Sequence, residues 1–191
     1  PITGADIREV VNCIPDGKAK GADFWSVAGL RALPEAMLDG LANFLNKAEE
    51  EGRWPKTMGS PIVALIDKPG AQSEDELRPI AILPYVYRVW MCVRKPELAA
   101  WTGKLHGGKQ RSAEALTYEL AARAEVARAT GRTFVAGFLD CSKCYERVGH
   151  ENSARRSFET GCPGEVLNLN YDMYARDRIL SSQGACTSGI E

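Results

Sequence analysis

Apolar positions recur at two periods along the chain and divide it into segments of different kind. After Thr3, which can cap a helix, Ile7, Val10, Val11 and Ile14 fall at helical spacing, and Pro15-Asp16-Gly17 ends them in a turn. A second helical stripe opens at Pro34 and runs through Leu38, Leu41, Ala42, Leu45 and Ala48 to a stop at Gly52. Between Pro61 and Ile66 the pattern becomes an unbroken apolar run closed by Asp67-Lys68-Pro69-Gly70, which predicts a short strand and a turn. Arg78-Pro79-Ile80-Ala81-Ile82-Leu83 reads as extended, because Pro79 disfavours helix at Arg78, and Pro84 then opens a helix carrying Val86, Val89, Trp90 and Val93. Ser112 is placed to cap an alanine-rich helix with Leu116, Leu120, Ala124 and Ala127 at helical spacing, ending at Gly131. Thr133 to Asp140 predicts a further strand, in which an acid closes an otherwise apolar run. Helices are expected from His150 to Glu159 and from Pro163 to Tyr174, and Ser181 to Gly189 could pair as an edge strand.

Composition narrows the class. With 191 residues and 45% of them apolar, the chain can pack one domain or two small lobes. Its 24 Lys+Arg nearly balance 25 Asp+Glu, so any nucleic-acid binding must come from local clusters of charge. The longest aliphatic run, Ile62 to Ile66, is far short of the roughly 20 residues that cross a bilayer, and no signal-peptide pattern opens the chain. A soluble, intracellular protein of nucleus or cytoplasm is expected, and a start at Pro1 suggests a piece of something longer. Cys13, Cys92, Cys141, Cys144, Cys162 and Cys186 are scattered, which fits free thiols in a reducing compartment. Cys141 and Cys144 could join His150 and Cys162 in a zinc site, although the second Cys pair of most such modules is missing. A thioredoxin-like use of the pair is disfavoured by the long helical region ahead of its strand.

Asp140 carries the clearest candidate chemistry. A carboxylate at the end of a buried strand is held rigidly and suits a hard cation such as Mg2+; the same Asp could simply cap the turn that follows. The stretch Phe138-Leu139-Asp140-Cys141-Ser142-Lys143-Cys144-Tyr145-Glu146-Arg147-Val148 resembles the first palm motif of reverse transcriptases, especially those of non-LTR retrotransposons and group II introns. Further elements match in the same order. Lys18 to Asp23 resembles the family's "basic, Gly, x, Asp" element; Trp54-Pro55 with Ile62 to Gly70 and Arg78-Pro79-Ile80 with Leu83 resemble its two fingers strands; Gly107 to Ala115 resembles its connector. Cys144, Glu146 and Gly108 depart from the family's usual Ala, Asp and Phe.

The resemblance implies roles. Asp140 would be the first metal-binding carboxylate, with the carbonyl of Cys141 completing part of the coordination, and Tyr145 would lie under the sugar of the incoming nucleotide. Lys68 and Arg78 would contact the triphosphate, and Lys20, Lys104, Lys109 and Arg111 are candidates for template or primer phosphates. Without the family, Tyr145 reads as ordinary packing and the two cations as solvated loop residues. Two Mg2+ need more than one carboxylate, and the family's aromatic-x-Asp-Asp turn and Gln-Gly-x-Pro element are not found; Tyr171-Asp172-Met173-Tyr174 lies in a helical pattern with one Asp. The implied architecture is α+β: a fingers-like region over residues 1–100 with a small antiparallel sheet between about residues 60 and 83, and a partial palm over 101–191. The implied partners are an RNA template, a DNA primer and dNTPs, and the fragment is expected not to polymerise alone. The alternatives are a non-catalytic RNA- or DNA-binding remnant and a Cys/His zinc module. Strand edges left uncovered in such a fragment predict marginal stability.

Overall fold

The structure is a computed structural model that describes residues 1–70, 73, 76–105, 112–137, 147–182 and 185–187. In chain order its helices are α1 (Gly4–Cys13), α2 (Val27–Arg31), α3 (Glu35–Glu51), α4 (Tyr85–Thr102), α5 (Ala113–Ala129), α6 (His150–Glu159) and α7 (Gly164–Tyr174). Its strands are β1 (Ile62–Ile66), β2 (Arg78–Ile82), β3 (Ile179–Ser182) and β4 (Ala185–Cys186). This is an α+β fold, rich in helix, with one small sheet among the described residues. It divides into two compact bodies, residues 1–95 with 164–191 and residues 96–163. The division falls inside α4 at Pro96, whose ring nitrogen has no proton for the helix ladder.

Local chemistry explains several helix ends. Asp6 N–H donates to the Thr3 hydroxyl while the Thr3 amide and hydroxyl donate to the Asp6 carboxylate, a closed capping box at the start of α1. Those bonds from Thr3 hold the Asp6 carboxyl below its ordinary range. Ser26 and Ser112 accept from Gly29 N–H and Ala115 N–H and so cap α2 and α5. Gly52 ends α3 at φ +67°, a left-handed conformation that costs glycine little. Pro34 stands one position ahead of the helix rather than within it.

The first body holds the core. Ile7 and Val11 of α1, Leu38, Ala42 and Leu45 of α3, Val89 and Trp90 of α4, and Val166, Leu169 and Met173 of α7 are all buried. Trp54, Tyr87 and Trp90 meet edge to face or tilted, with centroids 5.2 to 5.9 Å apart. Beside them Glu49 is buried and held by Trp90 Nε1 at 2.7 Å and by the Arg94 guanidinium. The burial of Glu49 raises its pKa, but the hydrogen bonds from Arg94 and Trp90 and the Arg94 charge outweigh that and leave it below the ordinary value.

The sheet order is β2-β1-β3-β4. β1 and β2 are antiparallel, as the two extended segments predict, but β3 joins β1 in parallel with Ile62 opposite Ile179. The antiparallel pairing expected between about residues 60 and 83 is present, and the parallel addition of β3 makes the sheet as a whole mixed. A parallel neighbour requires a long crossover, and here the whole second body lies between β1 and β3 in sequence. Ala185–Cys186 pairs at the edge of the sheet, where the tail is expected to pair.

In the second body, α5 buries none of its side chains, and Leu116, Tyr118 and Val126 are exposed. Residues 132–137 form no regular structure, and Val135 is 86% exposed. The expected strand from Thr133 is thus absent over its described part, because apolar alternation makes a strand only where a neighbour pairs with it. None of the described strands pairs there. No helix among the described residues is long and apolar enough to cross a membrane.

Candidate nucleotide and nucleic-acid interface

The register of the β1–β2 hairpin decides where two of the candidate residues go. Ile66 faces Arg78 across the ladder, so Arg78 at the start of β2 and Lys68, two residues past the end of β1, share one end of the hairpin. Both are exposed and neither forms an ion pair with a described residue. Alternation along β2 sets Ile80 on the face of Arg78, opposite Ala64, and Ile66 completes that face from β1. Ile66 and Ile80 are 45% and 47% exposed. Two cations beside a small open apolar surface can take an anionic group attached to a flat apolar one.

The loop carrying Lys20 lies at the other end of β2. Gly21 approaches the backbone so closely that a Cβ there would stand 2.6 Å from the Leu83 carbonyl oxygen and 2.7 Å from Pro84 Cα. Asp23 Oδ2 accepts from Val86 N–H at 3.0 Å and so caps α4, while Arg88 lies over the Tyr85 ring and donates to the Ala19 carbonyl at 2.7 Å. The Gly-x-Asp spacing thereby has a structural cause in this chain. Leu83 is five positions beyond Arg78, about 16 Å at the rise of a strand. The fold therefore brings Lys68 and Arg78 together and sets Lys20 apart from them.

A third cluster, unforeseen in the sequence, joins α7 to the segment before β1. Trp54 N–H donates to Asp172 Oδ2 at 3.0 Å and its indole Nε1 donates to the Leu169 carbonyl at 3.0 Å. Arg176 spans the carbonyls of Trp54 at 2.6 Å, Pro55 at 3.1 Å and Gly59 at 3.3 Å, with Asp172 Oδ2 at 3.3 Å. The i, i+4 spacing of Asp172 and Arg176 was the one available signal. This clamp fixes the distance from α7 to the start of β1 and so supports the parallel pairing of β3. A cleft of about 640 Å3 opens here among Arg53, Lys56, Asp172, Arg176 and Asp177, charges of both signs. The single-Asp Tyr171-Asp172-Met173-Tyr174 run is helical, as its pattern predicts.

Lys104 lies exposed just past α4, in the second body. Asp140, Cys141, Tyr145, Lys109 and Arg111, with Cys144 of the zinc alternative, lie outside the described residues. Among the described residues no three His, Cys, Asp or Glu side chains gather where they could hold a metal ion. Cys162 is buried and free, and burial pushes its thiol up, away from the thiolate that ligates zinc.

Comparison with known proteins gives partial matches. No protein-family model matches the chain. It is 31% identical over 86 residues to an RNA-directed DNA polymerase from the mobile element jockey of Drosophila funebris, and 27% identical over 168 residues to the jockey polymerase of Drosophila melanogaster. These alignments take in 44% and 78% of this chain but only 9% and 18% of the relatives, so the chain spans a small part of their length. Over that part, its similarity to these mobile-element RNA-directed DNA polymerases is distant and partial.

Proposed function

We propose that the chain is the fingers and the start of the palm of a non-LTR-type reverse transcriptase, with residues 1–100 fingers-like and 101–191 palm-like. The observation that carries this reading is the hairpin register, which sets Lys68 and Arg78 at one end of β1 and β2. Lys68 supplies a mobile point charge and Arg78 a planar fork, a pair suited to the triphosphate of an incoming dNTP. Distant similarity to the jockey polymerases supports the same reading. On it, Asp140 and the Cys141 carbonyl are metal ligands, Tyr145 lies against the sugar, and an RNA template and DNA primer are the partners.

Mg2+, when bound, would activate the primer hydroxyl and steady the leaving phosphates. One carboxylate at Asp140 is too few for the two ions of that chemistry, and so the 191 residues are proposed to bind without polymerising. Equilibrium binding of a fluorescent dNTP tests the site. Lys68→Ala and Arg78→Ala should each weaken it several-fold, and wild-type affinity in both variants sinks the assignment. Primer extension by the unaltered chain would refute the proposed incapacity.

A further inference from the structure

We infer that the loop Lys18–Trp25 is a stacking site for an unpaired nucleobase of single-stranded nucleic acid, separate from the Lys68–Arg78 end of the hairpin. Phe24 is 80% exposed and Trp25, its neighbour, is 36% exposed. Phe24 is also the sole non-glycine residue with positive φ among the described residues, at +55°. A bulky residue in that region is strained, and here no burial of the ring offsets the strain. Phe24 is held there by its own amide, which donates to the Gly21 carbonyl at 3.0 Å.

The loop beneath the rings is fixed on every side. Arg88 holds the Ala19 carbonyl, Gly21 lies against Leu83 and Pro84, and Asp23 caps α4. Ala22 lies beside Gly59, where a Cβ on Gly59 would come within 3.2 Å of the Ala22 Cβ. The Trp25 ring lies along the first turn of α2, within contact of the place a Cβ on Gly29 would take. The backbone that carries the two rings is thus anchored before binding, and the Trp25 ring has a contact of its own.

Charge selects the partner. Lys18 and Lys20 are exposed and form no ion pair with a described residue. The nearby acids face away from these cations: Asp16 bonds Arg31 at 2.8 Å, and Asp23 turns inward, where Oδ2 accepts from Val86 N–H and Oδ1 is buried without a partner among the described residues. Exposed rings flanked by free cations fit a base with its adjoining phosphates, the arrangement of single-strand binding surfaces. This inference rests on the reading above only in taking the partner to be nucleic acid.

The test is fluorescence anisotropy of the 191-residue chain with a labelled single-stranded RNA, beside its duplex and beside anionic phospholipid vesicles. Phe24→Gly removes the ring and relieves the positive φ, so it should weaken single-strand binding about ten-fold while Tm stays level or rises. Binding should quench tryptophan emission, and Trp25→Phe should abolish most of that change because Trp54 and Trp90 are buried and the half-buried Trp101 belongs to the second body. Lys18→Ala with Lys20→Ala should flatten the salt dependence. Wild-type affinity in Phe24→Gly, an equal loss on duplex, or binding to vesicles in place of RNA each overturns the proposal. Fluorescent dNTP binding distinguishes the two sites: Phe24→Gly must leave it unchanged, whereas its indifference to Lys68→Ala and Arg78→Ala would fault only the earlier reading.

Discussion

Helix α3 in the first body and helix α5 in the second have the same length, 17 residues, and both carry apolar residues three or four positions apart, but α3 gathers them on one face far more sharply than α5, and the two differ in what they bury. Leu38, Ala42, Leu45 and Ala48 of α3 are buried, whereas α5 buries nothing. The contrast extends to the bodies: among the described residues every buried apolar side chain except Cys162 belongs to the first. Apolar residues at helical intervals are thus not sufficient for a core helix. Burial depends on what another part of the chain brings to the stripe, and α1, α4 and α7 supply it for the first body alone.

The comparison breaks most readily at Trp90. Trp90→Ala removes a fully buried ring from the Trp54–Tyr87 cluster and takes a donor from the buried Glu49, which should cost about 4 kcal/mol or more. Tyr118→Ala on α5, which is 79% exposed, should change stability by less than about 0.5 kcal/mol. Urea unfolding compares the two, and similar losses would overturn the contrast between the two helices.

The next effect belongs to the Glu49–Arg94 pair, whose side chains are 7% and 13% exposed. Arg94→Ala leaves a buried carboxylate without its counter-ion and should cost about 3 kcal/mol. Because the folded pKa of Glu49 lies below the unfolded one, its contribution is present above the unfolded value and lost as pH falls through the folded value. Acid titration of stability should therefore flatten in Glu49→Gln. An unchanged profile would mean that the pair does not set the acid limit of the first body.

The smallest effect sharpens the role of the loop before α4. Gly21→Ala forces a Cβ into the Leu83–Pro84 backbone and should cost about 1–3 kcal/mol, and Asp23→Ala, which removes a cap, about 1 kcal/mol. Thermal unfolding reads both. If the two variants match wild type, the loop is not anchored as described, and the presentation of Phe24 and Trp25 loses its basis.

Much of this fold was legible in the chain. The Thr3–Asp6 box, the Ser112 cap and the Gly52 stop act over three or four residues, and the helices they delimit follow from spacing. The extended segments at Ile62 and Arg78 were equally plain, whereas the common end for Lys68 and Arg78 came from the strand register. The structural role of Asp23 was not, because its partner is an amide 63 positions away. Arg176 was hidden for the same reason, since the carbonyls it spans lie more than a hundred residues upstream.

By itself the sequence determined helix limits, turns and the hairpin, all of which arise from contacts between near neighbours. Only tertiary structure decided that β3 runs parallel to β1, that Glu49 is buried against Arg94 and Trp90, and that α5 stays exposed. It also left Thr133 to Gly137 without a strand, despite their apolar character. The physical reason is common to all four: strand pairing and burial are properties of two surfaces, and a local pattern specifies only one of them.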